Sequence, residues 1–393
     1  MVLQVFNRKK GAALPAALLY SLAVFWGLAL FVAGIAKAEI LLEDAAGRKV
    51  RLEAPASRIV TNESLLLLSL ALLDPEPVAR LAGWAAPQRF DKGMYQDFKQ
   101  RFPQIDTIPV VGGVMPANSS VEALLSVQPD LFLISLWQPG WENIAERIEA
   151  AGVPVIYLDG PENAARGPAD ATAFSMTLLG KAIGRDEQAS SFADFVKVRY
   201  AFVAERLKNI STKQENTPKV LIDAHAVDVC CASPGLDNRI TQYLTLAGGN
   251  NIGSDVIAGY DGQLSPEYVL SIDPDVYIAT GGPHLAGQGG LVIGGDMDKQ
   301  AARASLRAVT QRSIRGDLTS IRDGRAFAVS HQFSNSALSV LVFECFAKWI
   351  HPALFEDLEP ADTLAEINRR FMAVPITGTF WVSLNETQKT ATP

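Results

Sequence analysis

From Arg58 onward the chain alternates two hydrophobic rhythms. "SRIVTN", "VARLAGW", "IPVVGG", "DLFLIS" and "PVIYLD" carry short, almost wholly apolar runs, which predict strands covered on both faces. Between them, "ESLLLLSLALL" and the stretch near 141–151 are longer and predict helices. The alternation restarts with "PKVLIDAH", passes "ITQYLTLAGGNNI" and "DVYIAT", and ends with "RAFAVS" and the amphipathic "SALSVLVFECFAKWI". Such a pattern predicts α/β lobes on parallel, doubly wound sheets, one on each side of residues 170–209. That intervening segment is helix-compatible nearly throughout, with Gly180 and Gly184 as its weak points, and predicts one long strut helix.

One phrase occurs twice. "SVEALLSVQPDLFLIS" starts at Ser120 and "SPEYVLSIDPDVYIAT" at Ser265, 145 positions later, with six of sixteen positions identical. In each copy a serine followed two positions on by a glutamate suits a helix start. The proline then ends that helix, because the residue before it is pushed out of the α region. The apolar run after Pro-Asp predicts a buried strand, so the unit is helix, turn, strand, used once per half. Packing alone does not require the paired Glu122 and Glu267.

The first 38 residues follow another pattern. Arg8, Lys9 and Lys10 precede an uncharged stretch from Gly11 to Ala36, closed by "AKA" at 36–38, which fits a signal peptide cleaved after Ala38. The stretch is long for a signal core, so an uncleaved membrane anchor stays open. Both readings carry the rest of the chain across a membrane, and the periplasm is the expected compartment. The organisation is therefore signal peptide 1–38, first lobe 39–168, bridging helix 169–212 and second lobe 213–393. Without residues 1–38, 31 basic residues stand against 42 acids, a net charge of −11, which argues against a nucleic-acid partner. Three cysteines, Cys230, Cys231 and Cys345, are too few for a disulfide scaffold, and the sequence leaves open which pair closes.

In open α/β sheets, ligands bind beyond the carboxyl ends of the strands. In the first lobe those ends are Asn62 and Glu63, Trp84, Met115 to Asn118, and Trp137, Gln138 and Trp141. Three tryptophans there suit a large flat or aromatic ligand. In the second lobe His225, His284 and His331 each follow a predicted strand, with Tyr260 and Gln332 as weaker additions. These histidines are candidates to ligate a metal or to donate hydrogen bonds to a complex, although no direct metal site is assigned from them. Arg89, Arg239 and Arg312 are available for an anionic ligand, but the sequence places none of them in the cleft. The glycine-rich 281–296 lacks the Lys-Ser/Thr ending of a phosphate-binding loop. No GxSxG, HExxH or catalytic Cys/His context occurs, so an enzyme is not expected.

Taken together, these features resemble the periplasmic solute-binding proteins of ABC importers that serve ferric siderophores, haem and cobalamin. The resemblance runs from "GRKVRLEAPASRIV" at 47–60 to "SIRGDLTSIRDGRAFAVS" at 313–330, with "SSVEALLSVQPDLFLIS" and "LAGGNNI" its most specific parts. It implies two Rossmann-like lobes with parallel sheets, bridged by one long α-helix, and a ligand cleft between the lobes. It also implies a monomer that captures a ferric siderophore and delivers it to the permease dimer of the inner membrane. There is no intrinsic cofactor on this reading, and the iron is carried within the bound chelate. Haem, a corrinoid or a bare divalent metal are the alternatives, with Tyr95 or Tyr260 as the residues to try as a haem ligand. By the family's pattern, Glu122 and Glu267 dock onto permease arginines, one per subunit of a two-fold partner.

Overall fold

The computed structural model describes residues 39–113, 115–135, 140–160, 163, 165–208 and 217–385. In the first half, an antiparallel hairpin of β1 (Ile40–Glu43) and β2 (Lys49–Leu52) precedes a five-stranded sheet. Its strands are β3 (Ile59–Thr61), β4 (Leu81–Ala85), β5 (Val110–Gly112), β6 (Leu131–Ile134) and β7 (Val155–Tyr157), all parallel in the order β5-β4-β3-β6-β7. The second half holds β8 (Lys219–Asp223), β9 (Ala232–Pro234), β10 (Asn250–Asn251), β11 (Asp261–Gln263), β12 (Val276–Gly281), β13 (Ala326–Ser330) and β14 (Trp381–Ser383). Here the sheet order is β10-β8-β12-β13-β14, while β9 and β11 form a small antiparallel pair. The edge strand β14 runs antiparallel to β13, so the second sheet is not purely parallel as expected.

Strand order reverses between β3 and β6 in the first sheet and between β8 and β12 in the second. A crevice opens at such a switch point because the connections leave in opposite directions. Glu63 and Ser135 follow the first pair, and His225 and His284 follow the second.

The repeated phrase folds alike in both halves. Helices Val121–Ser126 and Pro266–Ile272 start at Ser120 and Ser265, whose hydroxyls accept from the amides of Ala123 and Tyr268 at 3.0 and 3.2 Å. Each helix ends before its proline, where Gln128 and Asp273 take positive φ of 50° and 44°. The following aspartates also match. Asp130 accepts from the amides of Ser57 and Arg58, both at 2.9 Å, and Asp275 from that of Lys219 at 2.8 Å, each fastening the neighbouring strand's entry. Part of the repeat is therefore a packing device.

The segment expected as one bridging helix is two helices, Pro168–Ile183 and Asp186–Leu207. Gly184, at φ +69°, caps the first in the left-handed conformation, and the chain turns back. Asp170 and Lys197 pair at 3.2 Å across the resulting antiparallel hairpin. Only Asp186–Leu207 bridges, over roughly 33 Å at 1.5 Å per residue. At its start Arg185 bonds Asp74 of the first lobe at 2.9 Å, and further along Tyr200 stacks on Phe343 of the second, centroids 4.1 Å apart. One apolar cluster passes through this helix from Leu66 to Phe346, so the lobes share a core. Each buried Leu or Phe in it contributes roughly 1.5–3 kcal/mol of transfer free energy.

The lobes also touch along a seam. Buried Asp91 caps helix Lys92–Arg101 by accepting from Met94 N at 3.0 Å and also accepts from Gly295 N of the second lobe at 3.1 Å. A Cβ on Gly93 would lie 2.2 Å from the Gly295 carbonyl carbon. The end of the glycine-rich stretch is thus a place where two backbones meet closely. Among the described residues, no helix is long and apolar enough to cross a membrane.

Candidate ligand-binding site

A cavity of about 540 Å³ lies between the lobes. The first lobe supplies Glu63 and Ser135 beyond β3 and β6, and Asp159 beyond β7. Helix Pro168–Ile183 contributes a mixed face of Thr172, Ser175, Met176 and Leu179. From the second lobe come Asp237, Arg239, Tyr243 and Tyr260, with Ser334 to Ala337 beyond β13. Strand ends thus account for much of the wall.

Asp159 and Arg239 join across the cleft, Arg239 Nη2 donating to Asp159 Oδ1 at 2.8 Å. Glu63 is 3 % exposed, and its Oε2 lies 3.4 Å from Arg89 Nε without a hydrogen bond. Burial outweighs the neighbouring guanidinium and pushes the Glu63 carboxyl up to about 7. Gln332, anchored beyond β13, reaches back across the lobes and donates to the Arg89 carbonyl at 2.5 Å.

Beside this pair stand the three histidines. His225 Nδ1 and His284 Nε2 are 3.0 Å apart, and the His225 and His331 rings stack with centroids 3.7 Å apart. Thr280, near the end of β12, ties them together: its hydroxyl accepts from the His225 amide at 3.0 Å and lies 3.0 Å from His331 Nδ1. His225 takes a positive φ of 50°, an uncommon conformation for a non-glycine residue. Desolvation by burial, then His284 and Arg89, hold His225 down to about 4. Desolvation and Arg89 lower His284 as well, and His331 is held well below the ordinary range. At neutral pH all three are uncharged imidazoles, each with one N–H and one lone pair, and the His225–His284 hydrogen bond uses one of each. Below them Asp223 accepts from Arg315 Nε and Tyr277 Oη, both at 2.7 Å, wholly buried. Arg315 also donates to the carbonyls of Asp228 and Val229, holding the loop after His225.

The donors do not form a closed metal cage. Among the described residues, no histidine belongs to a group of three donors within 4.8 Å of one another. The set that does is Asp223, Cys230 and Cys231, where Asp223 is committed to Arg315 and the cysteines are bonded to each other. Cys345 is free and buried in the shared core, away from either partner the sequence left open.

Several expected residues lie elsewhere. Trp84 is buried among Phe90 and Tyr95, and Trp141 is fully buried against Phe132, so neither presents a ring to the cavity. Both were drawn inward because a large apolar ring at a strand or helix end gains more from the core than from a wet cleft. Trp137 and Gln138 lie outside the described residues. Asn62 is buried and accepts from Ser135 N at 3.0 Å, binding β3 to β6 behind the cavity wall. Tyr95 donates to Asp106 Oδ1 at 2.7 Å, with its phenol pushed up to about 12, and does not line the cavity. Tyr260 does line it and is 57 % exposed. Arg312 pairs with Asp228 outside the cavity. Glu122 is exposed on helix Val121–Ser126 and pairs with Arg147 at 3.1 Å, and Glu267 is exposed on its own short helix.

Asp159, Asp237, Tyr243 and the face of Pro168–Ile183 were not anticipated. Asp159 follows "VIYL", so the strand-end rule would have found it; nothing local marks the helix face.

Residues 59–314 match the family model described as periplasmic binding protein. A cobalamin-binding protein of Halobacterium salinarum is 24% identical over 294 residues, 74% of this chain and 68% of that one. Among solved structures, the TroA-like periplasmic binding protein FepB of Veillonella parvula superposes with a TM-score of 0.77 at 24% identity, covering 88% of this chain and all of its own. An Fe3+-hydroxamate transport-system protein of Saccharomonospora viridis gives 0.53 at 19% identity, over 79% and 98%. Two lobes of parallel sheet around a cleft, and a family match over well over half its length, place this chain in the periplasmic binding protein family of ABC importers.

Proposed function

We propose that this protein captures a ferric siderophore in the cleft between its lobes and hands it, without chemistry of its own, to the permease of an ABC importer. The observation that carries the reading is the pairing of His225 and His284. His225 Nδ1 and His284 Nε2, 3.0 Å apart, are hydrogen-bonded to each other, the N–H of one ring on the lone pair of the other. They stand at one switch point near Arg89, whose partner Glu63 lines the cavity; the histidines are not themselves in its lining, and its volume is in the range of small-ligand sites. The oxygen atoms of a coordinatively saturated ferric chelate can accept from imidazole N–H groups there, whereas a bare ion lacks a third converging donor among the described residues. Glu122 and Glu267 serve as the permease contacts.

A corrinoid is the second reading, favoured by the cobalamin-binding relative. Calorimetric titration of the purified protein with ferric hydroxamate, catecholate and carboxylate chelates, haemin, cobalamin and zinc salt tests the proposal. Saturable binding of one iron chelate, weakened in His225→Ala and His284→Ala, is expected. Binding of cobalamin, haemin or zinc alone would replace it.

A further inference from the structure

Resting on the iron-chelate reading, the charges around the cavity narrow the ligand further. Among the described residues, four charged side chains line it: Glu63, Asp159, Asp237 and Arg239. Arg239 is committed to Asp159, and Glu63 is matched by Arg89 behind it. Asp237 is left over. It is exposed at the wall, and its carboxylate makes no ion pair or side-chain hydrogen bond with any described residue. Its position is nevertheless fixed, because Asp237 N donates to the Gly259 carbonyl at 3.3 Å and Gly235 N to that of Tyr260 at 2.9 Å. These bonds hold Asp237 and the half-open ring of Tyr260 on adjoining turns of one rim. Glu63, 3 % exposed at the same wall, has Arg89 Nε 3.4 Å from its Oε2 and no hydrogen bond to that oxygen.

We infer that the cavity is built for a ferric chelate carrying a pendant cationic amine, received by Asp237 against the Tyr260 ring, and that it rejects polyanionic chelates. An ammonium brings three donors and a charge that an unpaired carboxylate and an aromatic face both favour. A ferric tris-catecholate, with three negative charges, would find no uncommitted cation among the described lining residues. It could reach Arg239 only by displacing Asp159, which would leave two carboxylates facing the anion. A neutral trihydroxamate chelate avoids that repulsion but leaves Asp237 unanswered.

The test uses the purified full chain and three probes: a linear ferric trihydroxamate ending in a primary ammonium, the same chelate with that amine acetylated, and a ferric tris-catecholate. The ammonium form should bind about tenfold more tightly than the acetylated one, with the tris-catecholate weakest. Asp237→Asn should erase the preference for the ammonium and Asp237→Glu should keep it, while added salt narrows it. Equal or tighter binding of the acetylated chelate or the tris-catecholate overturns the inference while leaving the iron-chelate reading standing. Binding of none of the three, with saturable binding of cobalamin or haemin, overturns both.

Discussion

Asp159 at the end of β7 and Arg239 at the start of helix Arg239–Leu246 belong to different lobes, yet they meet at 2.8 Å in the wall of the cavity. Their pairing makes the cleft's width a matter of electrostatics as well as of the shared core. Both side chains keep contact with water, Arg239 22% and Asp159 34% exposed, so the pair should add only about 0–1 kcal/mol to stability. Arg239→Ala is therefore expected to unfold in urea within about 1 kcal/mol of the parent while its scattering profile shows wider opening between the lobes. An unchanged profile would mean that the bridging helix and the Asp91–Gly295 seam alone set the cleft.

Glu63 should leave a signature in the pH dependence of stability. Its carboxyl ionises near 4.5 when unfolded and near 7 when buried in the fold. The folded state thus holds the proton more tightly, so this contribution is complete below about 4.5 and is lost as pH rises through 7. His225 runs the other way, lowered from 6.5 to about 4, and its contribution is lost as pH falls through that window. Comparing Glu63→Gln with the parent isolates the carboxyl, because the histidines are common to both. The variant should gain stability relative to the parent between pH 4.5 and 7, on the order of 3 kcal/mol at the upper end. A difference that stays flat across this range would contradict the buried, proton-holding carboxyl.

Arg315 and Asp223 form an ion pair with almost no exposure, and Arg315 also carries the loop after His225. Removing one member leaves the other charge buried alone. Arg315→Met should cost about 3–5 kcal/mol in urea unfolding and loosen the His225 loop. Exposed Arg312→Ala, three residues away, is the control and should cost less than ~1 kcal/mol. Similar losses in the two variants would argue against a special role for the buried pair.

If Glu122 and Glu267 are the permease contacts proposed above, the doubly substituted Glu122→Ala, Glu267→Ala protein should bind its ligand as the parent does but fail to support uptake into vesicles bearing the cognate permease. Both glutamates are exposed and lie in the first turns of short helices, so folding should change by less than ~1 kcal/mol. Undiminished uptake would reduce the repeated phrase to its packing role, which Asp130 and Asp275 already perform.

Sequence by itself determined the layout: apolar runs became buried strands, Ser120 and Ser265 became caps, and prolines closed their helices, because these outcomes depend on residues a few positions apart. It also placed Glu63, His225, His284 and His331 at strand ends, since a parallel sheet carries all its carboxyl ends to one edge. Tertiary structure decided the rest. Whether Trp84 and Trp141 faced ligand or core depended on what packed opposite them, and they went to Phe90 and Phe132. That Arg239 would find Asp159, 80 residues away, rather than a ligand was a question of lobe placement. The long helical segment turned back at Gly184 because Pro168–Ile183 buries more apolar surface against its successor than a continuous rod would in water. Histidine chemistry was likewise settled by packing: three ordinary imidazoles became neutral donors only once the ends of β8, β12 and β13 brought them together beside Arg89.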